Sequence, residues 1–190
     1  MEIEKRNPKI FIISGKARHG KDTTAMYMNE IYTKKGKKIL NISYASYIKE
    51  YAKKISNWDG SDETKPRELL QQLGTTVIRQ NIDELFFVKR VLEDIDVYSY
   101  FFDVITISDA RLKPEVIMPR QKFKNVFAIR VARPNFDNGL TLEQQKHITE
   151  VDLDDYKEYD YYLVNDGSLE DLKSKVQNIV CLLYTSDAAD

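Results

Sequence analysis

Cysteine is almost missing from this chain: the single instance is Cys181, so neither a disulfide framework nor a cysteine metal site can be built, which suits a reducing compartment. An excess of one charge is missing as well. Lys and Arg number 29 against 30 Asp and Glu, for a net charge of −1, and both signs are interspersed, which argues against a polyanion-binding surface and a nucleic-acid polymer as partner. The stretch Lys34-Lys35-Gly36-Lys37-Lys38 reads as a solvated helix end and turn. No apolar run approaches the roughly 20 residues of a membrane-spanning helix, and the first residues lack the apolar stretch of a secretory signal. A cytoplasmic protein that engages no membrane is therefore expected. Internal repeats, low-complexity tracts and the guanine-reading Asn-Lys-x-Asp sequence are absent too, the last arguing against a GTPase switch. What remains, 190 residues with 42% hydrophobic and 31% charged, suits one soluble domain with a sizeable core.

The most informative stretch that is present runs from Phe11 to Thr23, where GxxxxGK stands between a buried-strand pattern and a helix. Gly15 and Gly20 allow the backbone to turn its N–H groups toward phosphate oxygens, the helix adds the positive end of its dipole, and Lys21 can reach the β- and γ-phosphates. The whole loop, Gly15, Lys16, Ala17, Arg18, His19, Gly20, Lys21, Asp22 and Thr23, is the expected ATP cradle, with His19 facing solvent or nucleotide rather than acting as a base. A Ser or Thr normally follows the lysine. Here Asp22 does, with Thr23 one place later, so a carboxylate is offered to magnesium close to the phosphates.

Strand and helix patterns alternate along the chain. Strands are expected at Lys9–Ser14, Lys38–Tyr44, Asp103–Ser108, Val126–Ala132 and Tyr161–Val164. Helices are expected over Thr23–Lys35, Ala45–Ile55, Arg67–Asn81, Asp83–Glu93, Pro114–Lys122, Thr141–Lys146 and Ser168–Val180. Alternation of this kind predicts a parallel five-stranded sheet covered by helices on both faces, with ligands at the carboxyl ends of the strands. The third strand ends in Asp109, where a second acid can stand near magnesium, and Arg111 can turn back to offset charge on a transferring phosphoryl group. Asp109 as a helix N-cap, and Arg111 paired to a surface acid, are the alternatives.

GxxxxGKD followed by Thr resembles the phosphate loop of the deoxynucleoside monophosphate kinases of bacteriophages and some bacteria, and less closely that of animal-type phosphomevalonate kinases. Further segments match the former pattern: Arg67 to Thr75 (RELLQQLGT), Ile107 to Arg111 (ISDAR), and His147 to Glu150 (HITE) leading into Tyr161 to Ser168 (YYLVNDGS). The family usually has Ser where Thr149 stands. The resemblance implies a P-loop NTPase fold of the nucleoside monophosphate kinase type, a three-layer sandwich, as a single domain over residues 1–180. Within it an acceptor-binding helical region spans about 45–95 and a lid about 133–153.

On that resemblance the acceptor side carries Arg67, Arg79 and Asp83, since planar arginine suits a phosphate. Twelve residues apart on a continuous helix of 3.6 residues per turn, Arg67 and Arg79 cannot share one narrow face, and only one of them reaches the acceptor phosphate. Either could instead snorkel from an amphipathic helix. Asp83, with Phe86 and Phe87, could border a base or sugar pocket, or the two Phe could be core. Arg130, His147 and Glu150 belong to the lid, Glu150 pairing to arginine; a metal half-site is the less favoured use of His-x-x-Glu. Arg133 joins Lys21, Asp109 and Arg111 in the catalytic group. Asn165 and Gly167 line the ATP adenine on resemblance alone, and a cap at Asp166 or Ser168 would explain the same loop.

The function so implied is ATP-dependent phosphorylation of deoxynucleoside monophosphates to diphosphates, with magnesium held by Asp22 and Asp109. Dephospho-coenzyme A kinase, phosphomevalonate kinase and a nucleotide-binding regulatory protein without turnover are the alternatives, and a homodimer is left open. Residues 181–190 resemble a translated sequencing adapter and are expected to be dispensable for both stability and activity.

Overall fold

The structure, a computed structural model, describes residues 3–187, with side chains as far as Tyr184. Five parallel strands form one sheet: β1 Lys9–Ser14, β2 Ile39–Ile42, β3 Val104–Ala110, β4 Val126–Ala132 and β5 Tyr161–Val164, in the order β2-β3-β1-β4-β5. Because β1 is central, its two neighbours deliver their carboxyl ends to the loop that leaves it. The helices are α1 Lys21–Lys34, α2 Ala45–Ser56, α3 Arg67–Gln71, α4 Phe86–Tyr98, α5 Lys113–Lys122, α6 Leu142–Gln145, α7 Ile148–Val151 and α8 Leu169–Asp187. Among the described residues no helix is long and apolar enough to cross a membrane.

Alternation along the strands feeds two cores. Ile10 and Ile12 of β1 pack with Val91, Ile95 and Ile107 on one face of the sheet. Phe11 and Ile13 pack with Met28, Tyr32, Leu172 and Val176 of α1 and α8 on the other. A sheet buried on both faces explains why these strands read as unbroken apolar runs. A smaller cluster of Ala52, Trp58 and Leu73 ties α2 to the helix after α3.

Two departures from the expected elements matter. The expected helix Arg67–Asn81 is α-helical only to Gln71, and Gln72–Gln80 is wound as a π-helix, π1. The premise of 3.6 residues per turn between Arg67 and Arg79 therefore fails, since bonding to the fifth residue widens each turn. The last helix also runs past Val180 to Asp187. Leu183 is 4% exposed in the α1/α8 core, and the Tyr184 ring lies 5.8 Å from that of Tyr32. Truncation at 180 would remove these contacts, which argues against the expected indifference. Residues 188–190 of the tail lie outside the described residues.

Candidate active site

At the end of β1 the Ser14 hydroxyl lies 2.9 Å from that of Tyr159, and the chain turns at Gly15, where φ is +154°. A Cβ there would stand 2.3 Å from the Val131 carbonyl oxygen of β4, so no side chain fits. The loop closes with His19 N–H donating to the Lys16 carbonyl at 3.3 Å, and Gly20 caps α1 with φ +98°. Lys21, the first residue of α1, is 7% exposed and donates from Nζ to the Lys16 carbonyl at 3.0 Å. Burial, and then the Arg111 guanidinium, push its pKa down to about 8. An ammonium held this far from water, beside another cation, favours any anion that enters the loop.

Such an anion is already there. The Glu150 carboxylate, from α7, accepts the Ala17 N–H at 3.1 Å and pairs through its other oxygen with Arg111. Asp154 just beyond α7 makes a second bridge, to Lys16 Nζ at 2.9 Å and to Arg130 Nη2 at 2.9 Å. Cations of the loop and of two strand ends are thus neutralised by carboxylates from the segment between β4 and β5.

The two expected magnesium ligands stand in different surroundings. Asp22, exposed at the second position of α1, accepts the Ser108 hydroxyl at 2.7 Å. Asp109 accepts three bonds at the head of α2: Ser43 Oγ at 2.7 Å, Tyr44 N at 3.1 Å and Ala45 N at 2.9 Å. It therefore caps α2, a helix whose first turn holds no acid of its own.

Beside the loop lies a cavity of about 560 Å³. Gln71, Gly74, Thr75 and Arg79 form one wall, and Gln144, His147, Thr149 and Glu150 the other. The Arg79 guanidinium is pinned by the Gly74 carbonyl and by Glu115, each at 3.3 Å, with its carbon 5.0 Å from the centre of the Phe87 ring. Glu115 is 2% exposed, and its Oε2 also accepts the N–H groups of Arg111 at 2.7 Å and Leu112 at 3.0 Å. Burial, with Asp109 adding to it, raises its pKa to about 7 against the backbone bonds and Arg79.

A sequence model described as Deoxynucleotide monophosphate kinase matches residues 28–176. The chain belongs to the deoxynucleotide monophosphate kinase family. In this family member the match covers strands β2 to β5, both walls of the cavity, Asp109, Arg111 and Glu150, and begins beyond the loop that bears Lys21. The Deoxynucleotide monophosphate kinase of Enterobacteria phage T4 is 30% identical over 154 residues, which is 80% of this chain and 58% of that protein. That of Escherichia phage RB69 is 35% identical over 121 residues, 63% of this chain and 46% of that one. The chain thus spans about half the length of the curated relatives it matches. Among solved structures, the Mycobacterium tuberculosis APS kinase in complex with AMPPNP and APS superposes with a TM-score of 0.58 at 14% identity, covering 94% of this chain and 98% of that one. At that identity the likeness establishes the fold: a P-loop kinase sandwich around a five-stranded parallel sheet.

The structure of this family member gathers Lys21, Arg111, Glu150 and the loop Gly15–Gly20, with Arg79 and His147 on the adjoining cavity. Other expected site residues stand apart. Arg67 is exposed at the start of α3 and does not line the cavity. Asp83 accepts Leu85 N at 3.0 Å and Lys89 Nζ at 2.6 Å, bracing the start of α4. Arg133 donates its N–H to His19 Nδ1 at 3.1 Å and lays its guanidinium 3.8 Å from the Phe136 ring centre. Burial, then Lys21, lowers the pKa of His19, consistent with a neutral ring accepting that bond. Arg18 reaches the Asn138 carbonyl at 3.0 Å. Asn165 donates to the His19 carbonyl at 3.1 Å behind Gly20, while Gly167 precedes a reciprocal cap between Ser168 and Asp171. His147 Nδ1 meets Thr149 Oγ1 at 2.8 Å at the head of α7. Glu115 and Asp154 went unread in the sequence, because two acids within ordinary element patterns carry no motif of their own, and Ser108 was read only as part of the Ile107–Arg111 segment.

Proposed function

We propose that the chain transfers the γ-phosphoryl group of ATP to the phosphate of a deoxynucleoside monophosphate. One observation carries this: Glu150 lines the cavity and also accepts the Ala17 N–H, so the cavity opens onto the phosphate loop where its own carboxylate now sits. A triphosphate entering the loop displaces that carboxylate, and a monophosphate in the cavity finds Arg79 on the wall. Helices on either side of the cavity support the division into an acceptor region at 45–95 and a lid at 133–153.

Chemically, an oxygen of the acceptor phosphate attacks the γ-phosphorus. The new P–O bond forms as the bond to the β-phosphate bridging oxygen breaks, and ADP departs with that electron pair. Both partners are phosphates, so positioning and charge stabilisation matter more than acid–base work. Lys21 and Arg111, the latter released from Glu150, supply the positive charge. Asp22 beside Ser108 offers the hard oxygen donors that magnesium takes, and no group of three or more His, Cys, Asp or Glu among the described residues could hold a metal unaided. That donor set fits an ion whose shell phosphates and water complete, and which would neutralise phosphate charge when bound.

Kinases acting on a ribose hydroxyl need a carboxylate base, which Asp22 or Asp109 would have to supply; the three bonds to Asp109 disfavour it in that role and leave Asp22. On the proposed reading the partners are ATP and a deoxynucleotide in the cytoplasm, with no nucleic-acid polymer. A homodimer is compatible with it and is checked by sedimentation velocity. The decisive test is ADP release with ATP and magnesium across the four deoxynucleoside monophosphates, their ribose counterparts, dephospho-coenzyme A and phosphomevalonate. Turnover of at least one deoxynucleoside monophosphate above the others is expected; turnover of none overturns the proposal.

A further inference from the structure

Glu115 is the most deeply buried acid beside the cavity, and nothing in the chemistry above uses it. A glutamate at the third position of a helix commonly closes a capping box with the N-cap N–H, and its bond from Leu112 N at 3.0 Å does that. Capping leaves the rest of its environment unexplained. Its Oε1 faces the Arg79 guanidinium of π1, its Oε2 also takes the Arg111 N–H, and its backbone carbonyl accepts the Tyr44 hydroxyl at 2.6 Å. Tyr44 N in turn is held by Asp109. One side chain thus spans from the acceptor wall to the turn that carries Arg111. π1 matters here, because its Gly74 carbonyl takes the other guanidinium nitrogen of Arg79. A Cβ on Gly74 would come within 3.0 Å of Ile48 Cδ1.

We propose that Glu115 is a positioning residue that holds Arg79 toward the acceptor phosphate and in register with Arg111. The proposal rests on the kinase reading of the same cavity. An arginine with two of its nitrogens anchored presents its remaining donors in one direction, which a free side chain would have to order on binding. The negative charge on Glu115 is what aims Arg79, so acceptor binding should weaken as Glu115 takes up a proton. The groups facing it are Arg79 from π1, Asp109 from β3, Tyr44 ahead of α2 and Arg111 from its own turn. With its pKa raised to about 7, the loss of binding sets in as pH drops through neutrality.

Glu115→Gln tests this, since glutamine still closes the capping box but offers Arg79 no charge. Deoxynucleoside monophosphate affinity is read by calorimetry, independent of turnover, alongside KM for acceptor and for ATP from pH 6 to 8.5. The expected result is an acceptor Kd and KM raised about tenfold or more at pH 8, an ATP KM within about twofold of wild type, and no step near pH 7. Wild type keeps that step, beyond the one both proteins share from the substrate phosphate, whose second pKa is about 6. In a double-mutant cycle with Arg79→Lys, the Glu115→Gln effect should largely vanish. Unchanged acceptor Kd, or equal loss for ATP and acceptor, overturns the proposal. Glu115→Asp, which keeps the charge, serves if Glu115→Gln does not fold; if neither folds, Glu115 is a folding residue and the proposal is overturned. Absence of turnover in wild type instead defeats the kinase reading and leaves the calorimetric comparison to decide this one.

Discussion

Glu150 Oε2 accepts the Ala17 N–H at 3.1 Å while Oε1 pairs with Arg111, so a carboxylate from α7 stands in a backbone loop built for anions. The same carboxylate lines the cavity walled by Arg79. On the proposed reading, nucleotide binding and the position of α7 are tied through one side chain: a phosphate that takes the Ala17 N–H leaves Glu150 to find another partner or swing away.

Glu150→Gln should bind ATP more tightly. The amide keeps the size of the carboxylate but removes its competition for Ala17 N–H and Arg111, and an ionised contact is roughly twice as strong as a neutral one. A fall of about threefold to tenfold in the ATP Kd is expected, measured by calorimetry without acceptor. An unchanged or raised Kd would mean that Glu150 does not occupy a phosphate position.

Lys21→Met separates binding from stability. Loss of phosphoryl transfer by about 100-fold or more is expected, because no other donor replaces a preorganised ammonium at the phosphates. Stability should move the other way. The folded pKa, about 8, lies below the ordinary 10.5, so the fold disfavours the charged form: the cost is complete below pH 8, shrinks as pH rises, and is gone above about 10.5. A shift of that size corresponds to roughly 3 kcal/mol. The variant should melt higher than wild type at pH 7, with the advantage fading toward pH 10. Thermal melts at three pH values check it.

The loop and the sheet were legible because both are local signals: spaced glycines and a lysine, and strands whose two faces are both apolar. The cavity wall was only half legible. Arg79 and Arg67 look equivalent in the sequence, and π winding over Gln72–Gln80, which turns Arg79 to the cavity, has no residue signature here. Asp109 read as a magnesium ligand with a helix cap as the alternative, and the partners that favour the cap, Ser43, Tyr44 and Ala45, lie some 65 residues away. Glu115 reads as an ordinary helix-start acid. Its burial and its partners, Arg79 of π1 and Tyr44 ahead of α2, are set by segments far off in the chain.

Two glycine substitutions with opposite surroundings test the loop geometry. At Gly36, φ is +71° and nothing lies within 4 Å of an added Cβ, so Gly36→Ala should cost about 1 kcal/mol from backbone strain alone. At Gly15 the added Cβ meets the Val131 carbonyl oxygen at 2.3 Å, a backbone atom that cannot turn aside. Gly15→Ala should lower Tm well beyond Gly36→Ala and weaken ATP binding. Equal Tm losses would show that the β1 turn can relax.

Leu183→Ala probes the segment whose sequence looked foreign. The side chain is 4% exposed against the α1/α8 core, and truncating a buried leucine costs about 2–5 kcal/mol. A Tm drop of at least about 5 °C is expected for a domain of this size. A change within error would mean that the end of α8 contributes nothing to the core.

Asp22 and Asp109 give the sharpest contrast, since both were expected to hold magnesium. An ionised carboxylate has about four acceptor sites. Asp109 spends three on the head of α2, whereas the bond at Asp22 is one, from Ser108. Asp109→Asn should then act as a lost cap: the amide cannot accept at both ends, α2 starts loosely, and Tm falls while the magnesium dependence of kcat/KM keeps its midpoint. Asp22→Asn should do the reverse. It removes a hard anionic ligand and a charge that repels phosphates, so half-saturating magnesium rises, excess magnesium restores part of the rate, and metal-free ATP binds as well as or better than to wild type. Magnesium titrations of both variants, paired with melts, decide between them. If Asp109→Asn shifts the magnesium midpoint and Asp22→Asn does not, the cap and the ligand have been assigned the wrong way round.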